Sequence, residues 1–305
     1  MTHDVNNAFN LLLDFLNEQN HARKILQEQY PTQEIDLYQD RLQELFANLK
    51  VLMYYQITSN RLDSLLKLNK AHPSFALLNE ANLDLDSCAK IAENLQTLLY
   101  KYGQLNTFRE GKPVDSKGDP IPWITYPALE FLSQFDYSEC EIFEFGAGNS
   151  TYFWARRAKE VISVESDSGW YEWLNKKKPA NVRLFHKSDA NEFASVVLEF
   201  DRPFTVIAID SMKHRYNAAL NAINKVAPGG VIIFDNSDWY PNSCQLLRDA
   251  GFSQVDFHGF GPVNGYTWTT SVFFKDSFKL KRLVTEIHPI GGITTVLGDD
   301  KPFVV

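Results

Sequence analysis

Residues 141 to 151 read Glu-Ile-Phe-Glu-Phe-Gly-Ala-Gly-Asn-Ser-Thr, and their order decides the fold class. Ile142, Phe143 and Phe145 form an apolar run with one carboxylate, Glu144, among them, as fits a buried strand. Gly146-Ala147-Gly148 then makes a tight turn, where the lack of a Cβ lets backbone approach a ligand. Ser150 is placed to cap a helix opening with Thr151, Tyr152, Phe153 and Trp154. Strand, glycine turn and helix make the first unit of a nucleotide-binding α/β sheet, although the glycines alone also fit an ordinary strand-to-helix turn. The next apolar run, Val161-Ile162-Ser163-Val164, ends in Glu165, where a second parallel strand delivers a carboxylate to a ribose diol.

Downstream, apolar strands alternate with helical segments. A helix over 169–177 ends in Lys176-Lys177-Lys178, where cations suit the helix dipole. Strands are expected at 182–185, 204–209 and 231–234, with Pro228-Gly229-Gly230 turning into the last of these. Helices are expected at 217–226 and 246–250. This alternation predicts a parallel sheet. The strands at 254–257 and 269–274 have no helix between them, so the sheet ends in an antiparallel pair. Upstream, Pro122-Trp123-Ile124-Thr125-Tyr126-Pro127 leads into a helix over 128–134. Trp123 and Tyr126 either pack on the sheet or cover a bound cofactor. Residues 276–305 form a tail in which 293–297 suit an edge strand.

The first hundred residues differ in kind. Glycine is absent before Gly103, and Tyr38, Leu42, Leu45, Leu49 and Leu52 recur in steps of four and three. That predicts a long helix over 33–68, flanked by helices over 5–29 and 86–102. This helical unit, 1–104, packs on the main domain, binds a partner or covers a substrate. Its apolar face leaves a homodimer through these helices open. Gly103, Gly111, Pro113, Gly118, Pro120 and Pro122 mark a linker, taken as 105–122, before a domain over 123–275.

The chain has 305 residues, 44% of them apolar, enough for one sizeable core and a second small unit. Its net charge of −8 argues against nucleic-acid and membrane-surface partners. Cys88, Cys140 and Cys244 are far apart, without metal spacing, and fit reduced thiols in a cytoplasmic protein. No run approaches the roughly 18 apolar residues of a membrane span.

Over about residues 120–275 the layout resembles the class I S-adenosylmethionine-dependent methyltransferases. The resemblance rests on Glu144-Phe145-Gly146-Ala147-Gly148, on Glu165, on Ser188-Asp189-Ala190 after the third strand and on Asp210 after the fourth. Pro228-Gly229-Gly230 and the antiparallel ending add to it. It implies a Rossmann-like α/β fold, a seven-stranded sheet whose last strand is antiparallel, here preceded by the helical unit. It also implies S-adenosylmethionine as cofactor. Gly146 and Gly148 would then admit the methionine part, Glu144 would lie near its amino group, Glu165 would accept from the ribose hydroxyls, and Asp189 would approach the adenine. Tyr126 joins them as a residue covering the cofactor. Acidic strand ends suit a ligand bearing a sulfonium and an ammonium. A dinucleotide fold usually has a third glycine where this chain has Thr151, which weighs against an NAD-dependent oxidoreductase. A cofactor-binding assembly protein without turnover is a further alternative.

Asp210-Ser211-Met212-Lys213-His214 and Asp235-Asn236 resemble the corresponding segments of the divalent-cation-dependent O-methyltransferases. That resemblance implies a magnesium ion held by Asp210, Asp235 and Asn236, with Lys213 as base. Oxygen donors suit such a hard ion. Metal-free chemistry with His214 as base, oriented by Asp210, is the alternative, and Asp238 is a competing carboxylate. No Asp/Asn-Pro-Pro-aromatic motif follows the fourth strand, so the expected acceptor is a small molecule, a sugar or a natural-product intermediate, methylated at oxygen. The stretch 257–268 is rich in glycine and aromatics. Its Tyr266 and Trp268 either stack on the acceptor or fill the core. His258 is expected to be a surface or packed residue rather than a catalyst.

Overall fold

A computed structural model describes residues 93–275, 278–283 and 286–292. The helices expected over 5–29 and 33–68, the start of that over 86–102, the apolar face 38–52 and the edge strand 293–297 lie outside these residues. The chain divides into two compact units, Met1–Gly111 and Lys112–Val305.

In the first unit a π-helical turn, Thr97–Lys101, leads through Gly103 to α1, Gln104–Glu110, which ends at Gly111. Leu99, Leu105 and Phe108 are buried together, with Leu95 and Tyr100 against them. α1 thus lies inside the segment expected to be linker. Seven residues are too few to show an apolar period, and the glycines that suggested a flexible joint bracket a helix instead.

The second unit opens on an ordered loop. Asp115 accepts from the N–H groups of Lys117 at 2.8 Å and Asp119 at 2.9 Å, and Val114 bridges to Pro120. Then come α2 (Tyr126–Leu132), β1 (Glu141–Phe145), α3 (Asn149–Ala155), β2 (Glu160–Glu165), α4 (Ser168–Asn175) and β3 (Val182–His186). α5 (Ala190–Ser195), β4 (Phe204–Ile209), α6 (Arg215–Ala222), β5 (Val226–Asp235), α7 (Pro241–Asp249), β6 (Ser253–Gly259) and β7 (Trp268–Phe274) complete it.

The seven strands form one sheet in the order β3-β2-β1-β4-β5-β7-β6. β1 to β5 run parallel, and β7 is antiparallel to both β5 and β6. The central strands are continuous apolar runs because helices cover both faces. Phe143, Phe145, Ile207, Ile209, Ile232 and Phe234 share a buried cluster with Phe193 of α5 and Ala218, Ala219 and Ala222 of α6. Truncating Phe145 or Phe234 to alanine would cost about 3–5 kcal/mol. Strand order reverses between β1 and β4, which opens a crevice over their carboxyl ends, where ligands of such sheets bind. Among the described residues no helix is long and apolar enough to cross a membrane.

Local expectations differ at several places; α7, for one, starts at Pro241 rather than at 246. Ser150 lies within α3, and Gly148 takes the cap position, because the Thr151 hydroxyl accepts the Gly148 N–H at 3.1 Å. α5 is capped by Asp189, a role its sequence allows beside contact with a cofactor. α6 starts at Arg215 rather than at 217. β5 starts at Val226, so Pro228-Gly229-Gly230 lies inside the strand, where pairing with β4 shifts register between Phe204 and Val206.

Candidate active site

The turn after β1 is shaped by its neighbours. Gly146 has φ +94°, and a Cβ there would lie 2.6 Å from the Asp210 carbonyl oxygen at the end of β4. Only glycine meets both demands. Gly148 is different: a Cβ there would meet nothing within 4 Å. One glycine is required by the fold, and the other leaves open space over the crevice.

Glu144 lies directly beneath this turn, fully buried. Its Oε2 accepts from the Thr151 hydroxyl at 2.6 Å and from Ser163, its register partner on β2, at 2.8 Å. Its Oε1 is buried with no hydrogen-bond partner. Burial pushes the carboxyl up to about 7, against the opposing effect of its hydroxyl partners. A buried, unpartnered carboxylate oxygen beside a glycine turn is what a ligand ammonium would satisfy. Thr151, at the place of a third glycine, therefore links the turn to this acid.

Glu165 ends β2, also buried. Its Oε2 accepts the Ala147 N–H at 2.8 Å, and its Oε1 accepts those of Ser166 and Asp167, each at 2.7 Å. Asp189 is exposed and caps α5, accepting from Asn191 at 2.9 Å and Glu192 at 3.0 Å through one oxygen. These backbone hydrogen bonds hold its carboxyl below the usual range, with a smaller contribution from His214. Tyr126 is buried at the start of α2, and its N–H donates to Phe260 at 2.7 Å. The preceding Thr125 donates twice, its hydroxyl to the Phe257 carbonyl and its N–H to the Thr270 hydroxyl oxygen, each at 3.0 Å. This anchors Tyr126 to the β6–β7 side. The residues around the turn thus fit S-adenosylmethionine: an orphaned carboxylate oxygen for its ammonium and open space at Gly148 for its amino-acid portion.

At the ends of β4 and β5 the structure brings Asp210 and Asp235 together around a residue that sequence reading did not single out. Arg215, buried in the first turn of α6, donates through Nη2 to Asp210 Oδ1 at 2.9 Å, through Nε to the Ser211 carbonyl at 2.6 Å and through Nη1 to the Asp235 carbonyl. Its guanidinium carbon lies 5.0 Å from the Tyr240 ring centroid. Asp235 Oδ1 accepts from the Trp268 indole N–H at 3.0 Å and the Thr270 hydroxyl at 2.5 Å. Burial raises both carboxyls and Arg215 opposes the rise; Asp210 adds to it in Asp235, and Glu144 and Glu165 add to it in Asp210. Arg215 escaped notice because its partners lie five residues upstream and across the sheet, beyond any local spacing.

The alternative pairing of Asp210 with His214 is not found, and Arg215 takes the Asp210 carboxylate. The His214 ring lies against Phe193, at 5.9 Å between centroids. Lys213 is exposed, and Asn236 is buried with φ +52°. Asp238 accepts the Thr269 N–H at 3.1 Å, a structural use. His258 is exposed on β6, with Nδ1 2.7 Å from the Thr269 hydroxyl. Trp268 is a core residue held on Asp235, and the β6–β7 connection passes so close that a Cβ on Gly261 would overlap its indole. Tyr266 lies 6.1 Å from Trp268 and 6.3 Å from Trp239, which is 56% exposed.

Residues 143–237 match the family described as a methyltransferase domain. No curated protein matches the chain. Among solved structures, precorrin-6y C5,15-methyltransferase from Geobacter metallireducens is 13% identical, over 49% of this chain and 87% of that one, with a TM-score of 0.39. A putative methyltransferase from Streptococcus mutans, in complex with SAH, is 15% identical over 47% of this chain and 93% of that one, at 0.36. The N-methyltransferase NodS from Bradyrhizobium japonicum is 14% identical over 47% and 89%, at 0.33. With the sheet order, the glycine turn and the acids at the strand ends, the family match gives one conclusion: the chain carries a methyltransferase domain of the class I, S-adenosylmethionine-dependent type.

Proposed function

We propose that this domain methylates an oxygen of a small acceptor bearing a flat ring or a sugar face. The observation that carries the reading is the position of Asp210. Its carbonyl presses on the Gly146 turn, while its carboxylate faces Arg215 and the end of β5. One residue therefore borders both the cofactor turn and the acidic pocket beside it.

S-adenosylmethionine supplies a methyl group on a sulfonium. Glu144 Oε1 accepts from the ammonium of this ligand, Glu165 from its ribose hydroxyls, and the second oxygen of Asp189 approaches the adenine. Gly148 leaves room for the methionine chain. Tyr126 belongs with the acceptor side, where the β6–β7 connection holds it.

As the methyl forms a bond to the acceptor oxygen, the hydroxyl proton must leave. Asp210, raised by burial, is a better proton acceptor than an ordinary carboxylate. Lys213, exposed on the turn after β4, orients the acceptor hydroxyl, and His214 stays on the Asp189 side. Trp239 and Tyr266, tilted 32° to one another, offer apolar faces to the ring. Holding both reactants in line supplies much of the acceleration.

The test begins with calorimetric titration of S-adenosylhomocysteine, with NAD as comparison. Phenols, sugars and amines are then screened for release of S-adenosylhomocysteine. Binding of the first ligand and turnover with a hydroxyl acceptor support the reading. Binding of NAD alone, or turnover confined to amines, overturns it.

A further inference from the structure

We propose that Arg215 is a built-in counter-ion standing where the metal-dependent relatives hold a divalent cation, so that Asp210, Asp235 and Asn236 do not bind one. The proposal rests on the placement of the pocket, not on the identity of the acceptor.

The guanidinium has five N–H donors in a fixed fork. Three are engaged by groups at the ends of β4 and β5: the Asp210 carboxylate, the Ser211 carbonyl and the Asp235 carbonyl. The Tyr240 ring covers it, and its side chain is only 6% exposed. It is therefore a permanent positive charge fixed between the two strand ends. A magnesium ion wants about six oxygens at roughly 2.0–2.1 Å. Here the nearest oxygen of Asp210 belongs to the guanidinium, and Asp235 Oδ1 faces two donors, Trp268 and Thr270. A cation entering this set would meet an N–H, an O–H and a like charge.

The backbone is bent to make this arrangement. His214 at φ +67° and Asn236 at φ +52° are the non-glycine residues with positive φ among those described. Left-handed backbone is unfavourable for a residue with a Cβ, though less so for Asn than for His. One of the two turns immediately precedes Arg215, and the other immediately follows the Asp235 carbonyl that it holds. Both strained positions thus flank the ends of a single interaction.

The consequence is chemical. A metal would ligate the acceptor oxygen and make its proton more acidic. A guanidinium shared among protein oxygens does not, so deprotonation falls to a carboxylate.

The experiment uses the full chain and manganese(II) alone, with free ion measured by electron paramagnetic resonance. The wild-type protein is expected to bind no stoichiometric manganese below millimolar concentration. Arg215→Ala is expected to bind at least tenfold more tightly than wild type, because two facing acids lose their counter-ion, and Asp210→Asn in that background should abolish the gain. Arg215→Met keeps the stem against Tyr240 and serves if the alanine variant does not fold. One equivalent of manganese on the wild-type protein, lost in Asp210→Asn, would overturn the proposal. So would an Arg215 variant that folds and gains nothing. Titration of S-adenosylhomocysteine into the same samples tests the cofactor reading separately, since its failure leaves the manganese result standing.

Discussion

The carbonyl oxygen of Asp210 lies 2.6 Å from the point that a Cβ on Gly146 would occupy, so β4 and the glycine turn are fitted to each other with no room for one methyl group. Gly146→Ala must therefore displace backbone and also accept φ +94°. A loss of about 2–4 kcal/mol is expected by denaturant titration. Gly148→Ala, with nothing within 4 Å of the new methyl, should stay within about 0.5 kcal/mol of wild type. Its cost should appear as at least a tenfold loss of S-adenosylhomocysteine affinity. Equal stability losses in the two variants would contradict this division.

Glu144 makes the folded protein sensitive to pH. Its carboxyl is raised to about 7 from a usual value of 4.5, so the folded state binds the proton more tightly than the unfolded chain. Its contribution is full below the usual value and is lost as pH rises towards 7. The loss is about 3 kcal/mol by linkage. Glu144→Gln should flatten the stability profile across that window. An ammonium seated on Oε1 would favour the charged form, so calorimetry near pH 6.5 in two buffers of different ionisation enthalpy should register proton release on S-adenosylhomocysteine binding.

Asp189 has two tasks that substitution can separate. As a cap it accepts two backbone N–H groups, and Asp189→Ala should destabilise by about 1 kcal/mol. Asp189→Ser restores a capping oxygen without the carboxylate. Stability close to wild type with weakened cofactor binding is expected. Full affinity in the serine variant would remove Asp189 from the adenine subsite.

Trp239→Ala is expected to raise KM for a ring-bearing acceptor roughly tenfold, in line with about 1–1.5 kcal/mol for a lost aromatic face. The kcat should change little, and Trp239→Phe should recover most of the loss. Steady-state kinetics with an acceptor found in the screen decide it. A fall in kcat alone would place Trp239 outside the acceptor contact.

The sheet was legible because its central strands are buried on both faces. β4 matches its expected bounds, Phe204–Ile209, since an apolar run interrupted only by Thr205 lies between Pro203 and Asp210. β1 and β2 were marked in the same way by the acids that end or interrupt them. What escaped was set by distant partners. Nothing local tells that Arg215 faces inward, because its hydrogen bonds join β4 to β5. The register shift that carries Pro228-Gly229-Gly230 into β5 is likewise a property of pairing, not of composition. The sequence leaves Trp268 between acceptor contact and core, and its burial with a bond to Asp235 makes it a core residue.

The bond from the Ala147 N–H to Glu165 gives the two halves of the cofactor pocket a common brace. The carboxylate proposed to receive the ribose also fixes the turn that receives the amino acid. Nucleoside and amino-acid fragments should then not bind as independent guests. Adenosine, by steadying Glu165, should lower the entropic cost of seating homocysteine, and homocysteine should return the same factor to adenosine. The pocket would behave as one cooperative unit whose coupling passes through a single hydrogen bond.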